Sequence, residues 1–190
     1  MVVLVSGAGK VAGALATQYA CDVFKPRAVI SIGIAGGVDD VARQGQLIVA
    51  TGATQHDLDA RPLTEARGVI PGLGLAVIPA DVGVADKLLR AARFESRDAR
   101  SGLVITGDQI VNRRGVRQAL LNDFPDASCI DMETAAVAQV AHQNVAPWSA
   151  LRVISDSADE SFDLRGVIGF GVRTAADLFD AILQTAVGEL

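Results

Sequence analysis

Two kinds of apolar pattern alternate along the chain. Short runs rich in Val, Ile and Ala, each ended by glycine or a polar cluster, predict buried strands at residues 2–5, 28–34, 46–54, 101–105, 127–130 and 148–154. Longer stretches, apolar at every third or fourth position, predict helices at Lys10–Phe24 and at 81–93, the latter with Val84, Leu88 and Ala91 on one face and Asp86 and Lys87 on another. An Ala-rich helix follows Glu133, and a closing helix spans 169–187 with Val172, Ala176, Phe179, Ile182 and Ala186 at core spacing. Between them, Pro62, Gly68, Pro71 and Gly72 mark an irregular surface loop. Strands alternating with helices predict an α/β fold, a mixed, largely parallel sheet with helices on both faces. A chain of 190 residues, 50% of them hydrophobic, has material for one core, so residues 1–190 read as a single domain.

Charge and composition narrow the partners. The net charge of −5, from 17 Lys plus Arg against 22 Asp plus Glu, gives no general attraction to phosphates, and aromatics at 4% are too few for a base-stacking surface, so nucleic acid is excluded as an expected partner. Arg113, Arg114 and Arg117 read as a solvent-exposed helix start. The opening MVVLV is too short to cross a bilayer and has no basic leader, so no export or membrane role is expected. Cys21 and Cys129 stand alone in apolar settings and read as core thiols in a reducing cytoplasm. His56 has no second histidine near enough to share a metal, and neither a metal nor a cofactor is expected.

Chemistry concentrates at strand ends. Gly7, Gly9 and Ala12 fit the spacing of a dinucleotide-binding turn, but the second strand runs into Ala35-Gly36-Gly37 where that fold needs a ribose-binding acid. Each glycine segment is then either a tight turn or a backbone cradle for an anion or a sugar. Thr106-Gly107-Asp108 and Ser155-Asp156 follow strands at their carboxyl ends, where open α/β sheets bind ligands. Asp131 and Glu133 sit where a strand gives way to a helix, with acid near the helix's positive end. The plainer alternative is that Asp156 caps a turn and Glu133 favours a helix start.

Met132-Glu133 opening an Ala-rich helix and Val153-Ile154-Ser155-Asp156, together with Ser6-Gly7-Ala8-Gly9-Lys10-Val11, Gly33-Ile34-Ala35-Gly36-Gly37, His56-Asp57-Leu58-Asp59 and Thr106-Gly107-Asp108, resemble the purine nucleoside phosphorylase and nucleosidase superfamily over nearly the whole chain. The likeness is greatest to the methylthioadenosine/S-adenosylhomocysteine nucleosidases. It implies a nucleoside-phosphorylase-like fold, a small-molecule nucleoside as partner, and a homodimer paired beside the active site.

Cleaving a purine N-glycosidic bond leaves positive charge on the sugar and negative charge on the base. An acid at N7 can protonate the leaving base, and Asp156, framed by Ile154, Ser155 and Ala158, is the candidate. An ionised carboxylate at the ribose hydroxyls stabilises the sugar cation, and Glu133 is the candidate, with Met132 packing on the sugar. The resemblance implies the same roles. It further places Ile34, Ala35 and Gly36 beside the ribose, Ile110 and Val111 at the purine, with Ile110 standing where the family stacks an aromatic, and Ser155 and Phe162 in the substrate site. The family's water-activating glutamate lies on a strand preceding the segment equivalent to Val2. The resemblance therefore leaves four routes for this chain: another acid such as Asp57 or Asp59, a partner subunit, another nucleophile, or a weakened enzyme. The expected activity is hydrolysis of an adenine-type nucleoside. The alternatives are a phosphorylase drawing its phosphate contacts from Arg152 and the Gly7–Gly9 turn, or a non-catalytic nucleoside binder.

Overall fold

The computed structural model describes residues 1–188, apart from the side chains of Val172, Arg173 and Val187. Its sheet has two groups of parallel strands. β1 (Val29–Gly37) runs alongside β6 (Trp148–Asp156), and β2 (Leu47–Gln55), β4 (Arg100–Thr106) and β5 (Ala127–Asp131) form the other group. The groups run in opposite directions and meet twice, β1 against β5 and β6 against β2, so that five strands close into a ring. The two-residue β3 (Ile78–Pro79) adds an antiparallel edge to β2.

Alternation along the central strands feeds two cores, because successive side chains point to opposite faces. Ile48, Ala50, Ala150 and Ile154 face α4 (Thr134–Gln143) through Ala135, Ala138 and Ala141. Leu47, Val49, Leu151 and Val153 face α2 (Val82–Glu95) through Val84, Leu88 and Ala91, and a closing helix through Phe179, Ile182 and Ala186. Each such leucine or isoleucine, fully withdrawn from water, contributes roughly 1.5–3 kcal/mol. Asp81 starts α2 by accepting a hydrogen bond from Val84 N–H at 2.9 Å. A third cluster joins α3 (Arg114–Asp123) to the sheet through Leu120, Ile105, Val111, Ile130 and Ala158. α1 (Lys10–Phe24) lies outside α4. The expected fold, mixed and mainly parallel with helices on both faces, is the one observed.

Three expectations need correction. Residues 2–5 form no strand: Val5 is 96% exposed, and none of the described strands offers this segment a ladder of hydrogen bonds. The closing helix begins earlier, at α5 (Leu164–Phe170) capped by Asp163, and passes through a π-turn (Gly171–Ala175) into α6 (Ala176–Gly188). Phe179, Ile182 and Ala186 are buried as expected, Ala175 rather than Ala176 joins them in the core, and the Val172 side chain lies outside the described residues. Arg117 is not a free surface charge. Its Nε donates to Val38 O at 2.7 Å and its guanidinium pairs with Asp40 at 3.0 Å, tying α3 to the loop after β1.

Candidate active site

The carboxyl ends of three strands meet at Gly36. It pairs with Ile130 of β5 on one side and with Asp156 of β6 on the other, at the point where the sheet reverses direction. A Cβ on Gly36 would lie 3.2 Å from each of Asp156 Oδ1, Ile130 Cγ2 and Ala158 Cβ, so glycine is what permits this approach. The β1–β6 register skips Ser155, a bulge that frees its side chain from the pleat. Ser155 Oγ lies 2.7 Å from Asp156 Oδ2 and 3.2 Å from Ala35 O, while Ala158 N–H donates to Asp156 Oδ1 at 2.8 Å. One hydroxyl proton cannot serve both oxygens. When Asp156 is ionised, Ser155 donates to it; when Asp156 is protonated, its own hydrogen can go to Ser155 while Ser155 donates to Ala35. The cluster accommodates either state.

Beyond Ile130 the chain turns into α4, and Glu133 occupies its N-cap position at φ −130°, ψ −36° without capping the helix. Its Oε1 instead accepts the Gly9 N–H at 2.7 Å. Gly9 has φ 96°, which glycine adopts without strain, and its N–H points out of the start of α1. The helices approach at Gly13, where a Cβ would come within 3.3 Å of Glu133 Cβ and 3.4 Å of Val137 Cγ2. Burial pushes the Glu133 carboxyl up from its ordinary value, against the pull of the Gly9 hydrogen bond; the charge of Asp131 adds to the rise and that of Arg152 opposes it.

The glycine turn at the start of α1 thus serves the protein's own carboxylates. Lys10 N–H donates to Asp108 Oδ1 at 2.8 Å, beside the Gly9–Glu133 bond, which is a second reason against a dinucleotide there. Lys10 Nζ reaches Gln55 at 3.1 Å and Asp57 at 2.7 Å, and Asp57 also accepts Asp108 N–H at 2.9 Å. Burial raises the Asp57 carboxyl, but these bonds outweigh it and leave the group below its ordinary value. Asp59 is fully exposed and its carboxyl is held at about 2 by hydrogen bonds from Arg61. Both acids are thus engaged by a neighbouring cation, Asp57 by Lys10 and Asp59 by Arg61. Arg152 is not available to phosphate, since its buried guanidinium is bonded to Asp131, Thr134 and Ser31.

The remaining predicted residues divide. Met132 is half-buried between Asp131 and Glu133, and Ala35 lies in the core beside the Ser155 bulge. The Ile34 side chain packs with the cluster of Leu151, Val153 and Phe170. Ile110 is 55% exposed on the loop after β4, whereas Val111 is anchored in the cluster of Ile130 and Ala158. Phe162 is half-buried in the connection after β6. His56 lies in the interior, against Gly107, and neither ring nitrogen has a partner; burial lowers it from its ordinary value. A groove of about 390 Å³ between residues 4–6 and α1, lined by Leu4, Val5, Ala12, Leu15 and Tyr19, contains no titratable acid or base suited to this chemistry. Among the described residues no group of three or more His, Cys, Asp or Glu could hold a metal. Sequence reasoning missed Gly13, Lys10 and the partners of Asp131. A second glycine four residues after Gly9 was the one visible signal for the helix crossing.

Comparison with known proteins identifies the family. The chain belongs to the phosphorylase superfamily, whose family model matches residues 1–187. It is 34% identical over 161 residues, 85% of this chain and 70% of the relative, to the 5′-methylthioadenosine/S-adenosylhomocysteine nucleosidase of Glaesserella parasuis. To that of Staphylococcus carnosus it is 30% identical, covering 97% of this chain and 82% of the relative. The crystal structure of the Neisseria meningitidis nucleosidase in complex with methylthio-immucillin-A superposes with a TM-score of 0.90 at 32% identity, over 98% of this chain and 80% of that one. Helicobacter pylori futalosine hydrolase superposes at 0.86 with 28% identity, over 97% and 78%.

Proposed function

We propose that the protein hydrolyses the N-glycosidic bond of an adenine nucleoside, 5′-methylthioadenosine or S-adenosylhomocysteine, the substrates named by its relatives. The observation that carries this reading is that Gly36 pairs both with Asp156 at the end of β6 and with Ile130 near the end of β5, just beyond which Glu133 starts α4. Asp156 gives its proton to N7 as the C1′–N9 bond breaks and the bonding electrons pass to the purine. Glu133, ionised and held by Gly9 N–H, accepts from the ribose hydroxyls and stabilises the sugar cation. Water adds at C1′ and releases its proton to solvent, from which Asp156 is reprotonated, giving adenine and the free sugar. Ala35, Gly36 and Met132 line the sugar, and Ile110, Val111, Ser155 and Phe162 the base side. Water is favoured over phosphate because Arg152 and Gly9 N–H are already bonded to Asp131 and Glu133.

The same reading takes residues 1–190 as one domain and the assembly as a homodimer. Val11, Leu15, Tyr19 and Val23 are all more than half exposed at four-residue spacing along α1, the helix whose start holds Glu133, so a second copy on this face stands beside the site. Two unpaired cysteines suit the cytoplasm, and among the described residues no helix is long and apolar enough to cross a membrane. Light scattering at micromolar concentration tests the dimer, and a monomer there rejects it. The activity is tested by incubating the protein with methylthioadenosine, S-adenosylhomocysteine or futalosine, with and without phosphate. Phosphate-independent release of base and free sugar is expected. Ribose 1-phosphate as the main product reassigns the protein to the phosphorylases, and binding without cleavage makes it a nucleoside receptor.

A further inference from the structure

Asp131 stands two residues before Glu133, and the fold buries it completely. Its side chain is 1% exposed and that of its partner Arg152 2%. The carboxylate is surrounded by donors: Arg152 Nε at 2.7 Å and Thr134 Oγ1 on Oδ2, Thr106 Oγ1 at 2.6 Å on Oδ1, and Thr134 N–H within 3.3 Å of both oxygens. Each partner is in turn tied elsewhere. Thr106 Oγ1 accepts the Ala135 N–H at 2.9 Å, and Arg152 donates to Thr134 Oγ1 at 2.6 Å and to Ser31 Oγ at 2.8 Å. Directly or through Arg152, one carboxylate therefore joins the end of β4, the middle of β6, the first half of β1 and the first free N–H groups of α4. Such a pair is a weak source of stability, because desolvation offsets the attraction of buried charges. Its effect is directional. The network fixes the backbone on both sides of Glu133, whose side chain it leaves free to reach Gly9.

We propose that Asp131 is a positioning residue: with Arg152 as counter-ion it sets the first turn of α4, and through it the place of the Glu133 carboxylate at the ribose, without touching the substrate itself. The inference rests on the nucleosidase reading for the role of Glu133. It confines the effect of Asp131 to the sugar, because Asp156 draws its hydrogen bonds from Ser155 and Ala158 and not from this network.

Three variants test it. Asp131→Asn keeps the shape and removes the charge, Asp131→Asn/Arg152→Gln removes the ion pair as a unit, and Thr106→Val deletes one donor to Asp131 and the acceptor of Ala135 N–H while leaving both charges paired. Each is measured by thermal unfolding, by affinity for free adenine and for 7-deaza-5′-methylthioadenosine, which has no N7 to protonate and stays intact, and by turnover of methylthioadenosine. Adenine affinity is expected within about threefold of the parent, while affinity for the deaza-nucleoside and turnover each fall about 10-fold or more, as displacement of a contact by an ångström does. The double variant is expected to keep this loss even when its unfolding temperature is native. A double variant with native stability and a native ratio of nucleoside to adenine affinity overturns the proposal. So does an equal loss for both ligands, the signature of a residue that is structural only. If Asp131→Asn does not fold, Thr106→Val reads the same ratio. If the parent binds both ligands but releases no adenine, the nucleosidase reading fails while the ratio still decides the role of Asp131; if it binds neither, both fail.

Discussion

Asp156 and Glu133 are held in place by opposite means. Asp156 takes its partners from its own strand end, Ser155 next to it and Ala158 two residues on. Glu133 reaches a donor 124 positions away, across a helix crossing that exists because residue 13 has no side chain. A proton donor needs a small cluster that tolerates both protonation states, and a bulged strand end can build that locally. A sugar clamp needs one fixed charge at one fixed place, which takes packing between distant segments. The base side should therefore resist distant substitutions that disturb the sugar side.

The largest effect separates the two carboxylates directly. Asp156→Asn keeps size and hydrogen bonding but has no proton to transfer, so kcat for methylthioadenosine should fall roughly 100-fold or more with little change in binding. Glu133→Gln should weaken binding and turnover together, lowering kcat/KM about 10- to 100-fold, because a charged acceptor is lost in the ground state and matters more against the sugar cation. Near-normal turnover by Asp156→Asn would make that residue a turn cap and remove it from the chemistry.

A smaller effect probes the long-range hold alone. Gly13→Val drives a branched side chain into Glu133 and Val137 and should cost about 1–3 kcal/mol in urea unfolding. In the folded fraction, affinity for the nucleoside should fall while affinity for adenine is kept. Equal losses would show that the two ends of the site are not independent.

The smallest effect lies in pH, beneath the base-side loop. The folded protein binds a proton at His56 less readily than the unfolded chain does, since burial lowers the group below its ordinary 6.5; Arg67 and Lys10 add to this, and Asp57 and Asp131 oppose it. As pH falls below 6.5 the unfolded chain gains a proton that the folded one refuses, so stability drops toward acid, and above 6.5 this contribution is constant. Thermal unfolding from neutral to mildly acidic pH should show a steeper decline for the parent than for His56→Leu. Identical slopes would place the acid sensitivity elsewhere.

The sequence by itself determined what local pattern can encode. α1 was legible to the residue, the strands of the sheet to within a few positions, and Asp156 and Glu133 stood out because a strand end and a helix start each leave a signature within a few residues. Only the tertiary structure decided what depends on a neighbour from elsewhere in the chain. The β-branched run at residues 2–5 needs a ladder partner to become a strand. In the closing helix Ala175 and not Ala176 enters the core, beside a π-turn that helical periodicity does not contain. Arg152, read as a possible phosphate contact, was claimed by Asp131, 21 positions earlier. Side-chain spacing states which face a residue occupies; which charge it meets there is set by how the strands close on one another, and that closure is a property of the whole chain.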